Sequence, residues 1–217
     1  MFDLDGTLVD TAPDLHAHLN RLLAEHGRPA LSLERVRPMI GNGMRHLIHL
    51  GMEETGGLPA RTELDGLFEE YLRHYTARPH HLGAIYDGVE DILQGLAEAG
   101  VKRGVCTNKP QEPAERLLAA LALDRHFTVV IGGDHLPARK PDPIHLGTVL
   151  ERLAADRARS VLVGDSATDV EAAAALGMPC VLVSFGYTAT PARELGATLV
   201  IDSMRELPAA LIQIDSA

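Results

Sequence analysis

Four short stretches of this chain carry side chains whose types and spacing could do chemistry. Asp3-Leu4-Asp5-Gly6-Thr7 sets two carboxylates two residues apart, just before a glycine that permits a tight turn. Cys106-Thr107-Asn108-Lys109 places a hydroxyl and an amide directly after an apolar run, and Lys140 is pinned by Pro141 and Pro143. Gly164-Asp165-Ser166-Ala167-Thr168-Asp169 adds two more carboxylates in a turn. If the four converge, Asp3, Asp5, Asp165 and Asp169 bring up to four negative charges together, with Lys140 as the obvious counter-charge. Like charges a few ångströms apart raise one another's pKa, so such a cluster calls for a cation. An all-oxygen donor set, with no Cys or His at ligand spacing, favours Mg²⁺ over zinc or copper. Mg²⁺, a lysine and small donors such as Thr107 and Asn108 are what a phosphoryl group requires, because its transfer is mostly positioning and charge stabilisation. One Asp can attack phosphorus while its neighbour serves as acid and base.

Such groups need strand ends to present them, and the pattern supplies strands. Apolar, β-branched runs at 101–106, 127–131, 161–163, 180–184 and 198–201 read as strands buried on both faces, as in a parallel sheet. Helical stretches separate them. Val89, Ile92, Leu93 and Leu96 form one stripe, with Gly100 as the C-terminal cap. Ala114, Leu117, Leu118 and Leu121 form a second, Ile144, Val149, Leu150 and Leu153 a third, and 171–176 a short alanine-rich fourth. This alternation predicts an α/β fold with a doubly wound, mainly parallel Rossmann-like sheet. In open sheets of this kind ligands bind beyond the carboxyl ends of the strands, where the four stretches lie. Residues 11–85 read differently. Thr11 is an N-cap candidate ahead of Pro13, and Leu15, Leu19, Leu22 and Leu23 form an amphipathic stripe ending at Gly27. Helical segments around 33–40, 44–55 and 61–77 follow, with no strand pattern between them. The expected organisation is a catalytic core of residues 1–12 and 86–217, split by a helical cap of residues 13–85, with joints near 9–13 and 84–88.

Composition narrows the class. A net charge of −10 argues against a nucleic-acid binder, and 4% aromatic residues without Trp offer no base-stacking platform. Two cysteines rule out a disulfide scaffold or a zinc site built on paired CxxC motifs. No run of about 18 apolar residues suggests a membrane span, and no signal-peptide pattern opens the chain. The expectation is a soluble cytoplasmic protein with a small phosphorylated metabolite as its partner, no nucleic acid and no membrane; oligomeric state is not readable.

Asp3-Leu4-Asp5-Gly6-Thr7-Leu8, Thr107-Asn108, Lys140 and Gly164-Asp165…Asp169 resemble, in order, the four motifs of the haloacid dehalogenase-like hydrolase superfamily. More narrowly, LDGTLVDTAPDL from Leu4, Arg139-Lys140-Pro141-Asp142-Pro143, GDSATD and Ser184-Phe185-Gly186-Tyr187-Thr188 look like bacterial phosphoglycolate phosphatases. The resemblance implies that Asp3 is the nucleophile and that Asp5 protonates the leaving alkoxide, then deprotonates the attacking water. It implies that Thr107 and Asn108 hold the phosphoryl oxygens while Lys140 neutralises their charge and that of Asp3. Mg²⁺ would be held by Asp3, the backbone carbonyl of Asp5, and Asp165, with Asp169 orienting the shell. Asp5 argues against halide cleavage, which needs no leaving-group acid. The implied reaction is hydrolysis of a small phosphomonoester, foremost 2-phosphoglycolate, through an aspartyl-phosphate. Other small-molecule phosphatases, a pyrophosphatase or a sugar-phosphate mutase share the motifs. A receiver-like phosphoacceptor would need neither the cap nor Asp5.

Each motif alone has a plain structural reading: a turn at Asp3–Gly6, a cap at Thr107-Asn108, a solvated Lys140, first-turn helix charge at Asp169. Their combination favours a site. Gly41-Asn42-Gly43 reads either as a turn needing positive φ or as the substrate-selecting loop that capped relatives place there. Arg45 could meet a substrate carboxylate but reads better as a solvated helix residue. The 11 histidines, including His16/His18, His46/His49 and His80/His81, show no metal-site frame. Finally, a nucleophile at Asp3 should end a central strand. Strands run to about five or six residues, and members of the family carry several apolar residues ahead of this motif. The natural chain is therefore expected to begin upstream, with Met1 at an internal strand position. Adding the upstream residues should raise Tm if so.

Overall fold

The computed structural model describes residues 1–58, 61–77 and 83–216. After residues 1–3 the chain runs through β1 (Val9–Asp10) into α1 (Ala12–Glu25), α2 (Leu33–Val36), a 3₁₀ turn (Arg37–Met39), α3 (Met44–Glu54) and α4 (Arg61–Ala77). It returns through β2 (Ala84–Ile85) to α5 (Val89–Glu98), β3 (Gly104–Cys106), α6 (Gln111–Ala120), β4 (Val129–Ile131), α7 (Pro143–Arg152) and β5 (Leu162–Gly164). The last elements are α8 (Ala167–Ala175), β6 (Cys180–Val183), β7 (Leu199–Ile201) and α9 (Leu207–Asp215).

β3 pairs in parallel with β4, and β5, β6 and β7 form a parallel ladder. Residues 1–3 join the two groups. Phe2 N donates to Gly104 O and Cys106 N to Phe2 O, both at 2.9 Å; on the other side Asp3 N donates to Val163 O and Val163 N to Met1 O, also at 2.9 Å. The spatial order is therefore β4-β3-(1–3)-β5-β6-β7, the doubly wound Rossmann-like order, with the N-terminal segment at the switch point. Side chains alternate between two cores. Phe2, Val105, Val163, Val181 and Ile201 pack with helices α5, α6 and α9; Met1, Cys106, Leu162, Cys180 and Leu182 pack with α7 and α8. Burial on both faces explains why the strands read as continuous apolar runs.

The elements depart from the sequence expectations in instructive places. The 101–106 strand begins only at Gly104, because Gly100 at φ 71° closes α5 and leaves Val101 exposed at the turn. In α7 the buried stripe uses Leu146, not Ile144, which faces solvent. The 171–176 helix starts earlier, at Ala167, since Asp169 caps its first turn. The 33–40 helix breaks into α2 and the 3₁₀ turn at Pro38, which has no N–H to continue an α-helix. Thr11 makes no side-chain cap; its hydroxyl donates to Asp5 Oδ1 at 2.7 Å instead. Among the described residues no strand separates the helical segments from α2 to α4; the short strand β2 follows α4 and pairs antiparallel with β1, Val9 opposite Ile85, so the two expected joints bind one another. Two residues are too few for an alternation signal to show.

Helices α1–α4 pack around their own apolar cluster, in which Leu15, Leu19, Leu22 and Leu23 all lie buried beside Met52, Tyr71 and Tyr75. Tyr71 and Tyr75 stack at 6.2 Å on α4. Among the described residues no helix is long and apolar enough to cross a membrane.

Candidate active site

The sheet's carboxyl edge gathers the four stretches. Asp3 ends the central segment, Thr107 follows β3, Asp165 follows β5, and Lys140 stands just before α7. Asp3, Thr107, Asn108, Lys140, Asp165 and Asp169 are all buried. Two glycines let the loops crowd this closely. Gly6 has φ 83°, and a Cβ there would overlap the Asp165 carboxylate; a Cβ on Gly186 would strike the same side chain from the other side.

Carboxylate oxygens of Asp3, Asp165 and Asp169 lie within 4.8 Å of one another. Asp3 Oδ1 accepts from Leu4 N at 2.8 Å and lies 3.0 Å from Lys140 Nζ. Lys140 Nζ also donates to Asp169 Oδ1 at 2.6 Å. Asp169 Oδ2 accepts from the Asp165 and Ser166 amides and from Ser166 Oγ. Asp169 is thereby held as an orienting group for Lys140 and the Asp165 loop. Asp165 accepts from Thr7 Oγ1 at 3.1 Å and from Tyr187 N at 2.8 Å. Burial pushes the Asp3 carboxyl up to about 6, with Lys140 pulling against it and Asp169 adding to the rise. Burial, then Asp169 and Asp3, raise Asp165 well above the carboxylate range. Burial acts to lower the Lys140 ammonium, but Asp169 and Asp3 outweigh it and hold it above its usual range.

Asp5 turns away from this cluster. Its Oδ1 accepts from Lys109 Nζ at 2.9 Å and from Thr11 Oγ1. From sequence Lys109 has no assigned part, and Lys140 alone counters the charge. It is fully buried, and its ammonium sits 4.6 Å from the centre of the Tyr75 ring on α4. Its place beside Thr107-Asn108 was the available signal, but a lysine opening a helix looks solvated. With two lysines against Asp3, Asp5, Asp165 and Asp169, the site is left two negative charges in excess. One divalent cation balances that excess, and buried all-oxygen donors suit a hard ion such as Mg²⁺.

Two further residues have contacts that the sequence does not reveal. His145, fully buried, accepts from the Lys140 amide through Nδ1 at 3.0 Å, which leaves Nε2–H to donate to Gly132 O at 3.2 Å. Burial, then Lys140, lower it to about 4, so the ring is neutral. Tyr187 links the joint to the site: its hydroxyl accepts from the Thr11 and Ala12 amides at 2.6 and 3.0 Å and donates to Asp10 Oδ1 at 2.7 Å. Its own amide holds Asp165.

The Gly41-Asn42-Gly43 loop closes over the edge. Asn108 Nδ2 donates to Gly41 O at 3.1 Å and to Lys140 O at 3.0 Å, and Thr168 Oγ1 donates to Asn42 Oδ1 at 3.0 Å. The Asn108 amide hydrogens thus tie the loop to the core; its Oδ1 finds no partner among the described residues. Beneath the loop lies a narrow cleft reached by Asp3, Asp5, Thr107, Asn108 and Lys109, with Leu15, Ile40, Met44 and Leu47 as apolar walls. Arg45 does not reach it; it pairs with Asp65 and stacks over Phe68 at the surface. The His46/His49 rings stack on one another in α3, and His80/His81 lie outside the described residues. A second group, Glu25, Glu70 and His74, sits on the surface of the helical cluster, away from the sheet edge.

The arrangement offers one carboxylate poised at a cation-lined edge, a second carboxylate beside it with its own lysine, and a lid of backbone. Known proteins resemble the chain as a whole. The sequence model described as haloacid dehalogenase-like hydrolase matches residues 1–183. A phosphoglycolate phosphatase of Caulobacter vibrioides is 43% identical over 213 residues, covering 98% of this chain and 90% of the relative. Phosphoglycolate phosphatase 1 of Pseudomonas aeruginosa is 41% identical, covering 95% of this chain and 77% of the relative. Among solved structures, a predicted phosphoglycolate phosphatase from Haemophilus somnus 129PT superposes with a TM-score of 0.90 at 27% identity, covering 96% of this chain and 95% of the other. CbbY from Rhodobacter sphaeroides, solved with phosphate, gives 0.77 at 25% identity, with 95% and 94% covered.

Proposed function

The chain belongs to the haloacid dehalogenase-like hydrolase family and is a phosphatase, and we propose that it hydrolyses 2-phosphoglycolate to glycolate and phosphate with Mg²⁺. The observation that carries the mechanism is Asp3 at the end of the central segment, bonded to Lys140 and facing Asp165 across a buried edge. Asp3 attacks phosphorus and becomes an aspartyl-phosphate as the bond from phosphorus to the ester oxygen breaks; Asp5, held by Lys109 and Thr11, takes up a proton from solvent as the anionic ester binds and gives it to the departing alkoxide. Asp5 then takes a proton from the water that cleaves the acyl phosphate. Lys140 holds Asp3 and balances the phosphoryl charge, and Asp169 fixes Lys140. Asp3, Asp165 and the carbonyl of Asp5 would hold Mg²⁺, which supplies further charge stabilisation at the phosphoryl oxygens.

Residues 13–85 act as the cap, and residues 1–12 and 86–217 as the core. Hinging at the paired joints opens the Gly41-Asn42-Gly43 loop, and closure excludes water while the ester reacts. Thr107 Oγ1 and the loop amides contact the bound ester. A panel of phosphorylated small molecules, compared by kcat/KM with and without Mg²⁺, tests the reading. The expected result is Mg²⁺-dependent phosphate release with 2-phosphoglycolate preferred. Preference for pyrophosphate, or isomerisation of a sugar phosphate without release, overturns it.

A further inference from the structure

The two buried lysines serve different halves of a substrate. Lys140 bonds Asp3 and so stands on the phosphoryl side; Lys109 bonds Asp5 and so stands on the leaving-group side. Lys140 and a divalent cation suffice for the phosphoryl charge, which leaves the Lys109 ammonium with no part in it. Within the cleft Lys109 is the only lining cation among the described residues, set against Leu15, Ile40, Met44 and Leu47. Its side chain is 1% exposed, and its Nζ lies 2.9 and 3.3 Å from the two Asp5 oxygens. The Tyr75 ring closes the opposite side at 4.6 Å.

We propose that Lys109 is the specificity-determining cation of this enzyme, binding a carboxylate carried on the carbon next to the ester oxygen. This rests on the phosphatase reading, in which Asp5 contacts that ester oxygen. A group in contact with Asp5 lies about 2.7 Å from its carboxylate, an ordinary O–H···O separation. The substituent two bonds further on then falls beside the ammonium that Asp5 itself holds. Apolar walls strengthen such a pairing, since little water screens it. A neutral substituent at the same place would displace water from Lys109 and return no charge. The site thereby selects phosphorylated 2-hydroxy acids over plain alkyl phosphates. Tyr75, reaching in from α4, holds the ammonium against Asp5 by its ring face and makes the cap part of the selection.

The test compares 2-phosphoglycolate with 2-hydroxyethyl phosphate, its near-isostere bearing an alcohol in place of the carboxylate. The wild type is expected to favour the acid by about 10²-fold or more in kcat/KM, in keeping with loss of a buried charge pair. Lys109→Met should slow both esters and bring the ratio to within about fivefold of unity, whereas Lys109→Arg should keep most of the preference. If Lys109 merely orients Asp5, Lys109→Met lowers both by one factor and the ratio stands, which overturns the proposal. Should Lys109→Met fail to fold, the wild type still decides: 3-phosphonopropionate, in which a methylene replaces the ester oxygen, must inhibit about 10²-fold better than propylphosphonate, and equal inhibition overturns the proposal. Mg²⁺-dependent hydrolysis of both esters without preference removes the Lys109 assignment and leaves the phosphatase standing. Failure to turn over either ester or any other phosphomonoester, beside tight 3-phosphonopropionate binding that needs Lys109, removes the hydrolytic reading and leaves the carboxylate site.

Discussion

Replacing Lys140 by Met should unbalance the site more than any other single charge change. The ammonium lies 3.0 Å from Asp3 and 2.6 Å from Asp169, with all three side chains buried. Methionine keeps most of the stem's volume, so the loss is electrostatic: Asp3 and Asp169 remain face to face beside Asp165. Removing one partner of a buried pair costs about 3–5 kcal/mol. For a chain of this length that corresponds to a fall in Tm of about 10 °C in metal-free buffer. The pH dependence identifies the cause. Asp3 already stands at about 6 with the lysine present, and without it the folded-state value rises further above the unfolded one. A carboxyl whose folded value is raised gains stability as pH falls, because the folded state binds the extra proton. The deficit of the variant against wild type should therefore be full near pH 8 and shrink towards pH 5. Urea unfolding of both proteins across that range, without metal, measures it. A deficit under about 1 kcal/mol at pH 8, or one that grows on acidification, refutes the reasoning.

Three further outcomes follow from the same contacts. His145 is lowered to about 4, so acidification protonates it in the unfolded chain first and removes stability between about pH 6.5 and 4; wild type should lose about 2 kcal/mol more than His145→Gln between pH 7.5 and pH 5 in urea unfolding, and parallel pH curves would contradict this. Tyr187→Phe removes three hydrogen bonds between the joint and the core and should lower stability by about 2 kcal/mol while raising KM, read by thermal unfolding and steady-state kinetics. Asp5→Asn should slow alkyl phosphates by about 10²–10⁴-fold but p-nitrophenyl phosphate far less, since that leaving group needs no acid; an equal loss on both esters removes Asp5 from proton transfer.

How much of this was legible beforehand follows from where each signal lives. The doubly wound sheet was legible because its strands are buried on both faces and its helices carry regular stripes. Asp3, Thr107 and Asp165 stood out because each lies within a residue or two of an apolar run's end, and Lys140 because Pro141 and Pro143 follow it. Lys109, His145 and Tyr187 did not, because their roles depend on partners far away in sequence: Asp5 for the first, the Lys140 backbone and Gly132 for the second, Asp10 and Asp165 for the third. The contacts of Asn108 were hidden for the same reason: its side-chain hydrogens hold the carbonyls of Gly41 and Lys140, both distant in sequence. The β1–β2 pair was hidden for a simpler reason, as two residues a side leave no period to read.

The central claim is that Asp3 takes the phosphoryl group, and acid-quenched single turnover with ³²P-labelled substrate tests it directly. Wild type should carry the label on the peptide that contains Asp3, at up to one group per chain, and release it as phosphate with the kinetics of turnover. Asp3→Asn should fold normally, take up no label and lose at least about 10³-fold in kcat. Hydrolysis near the wild-type rate by that variant, or label on any other peptide, would contradict the account.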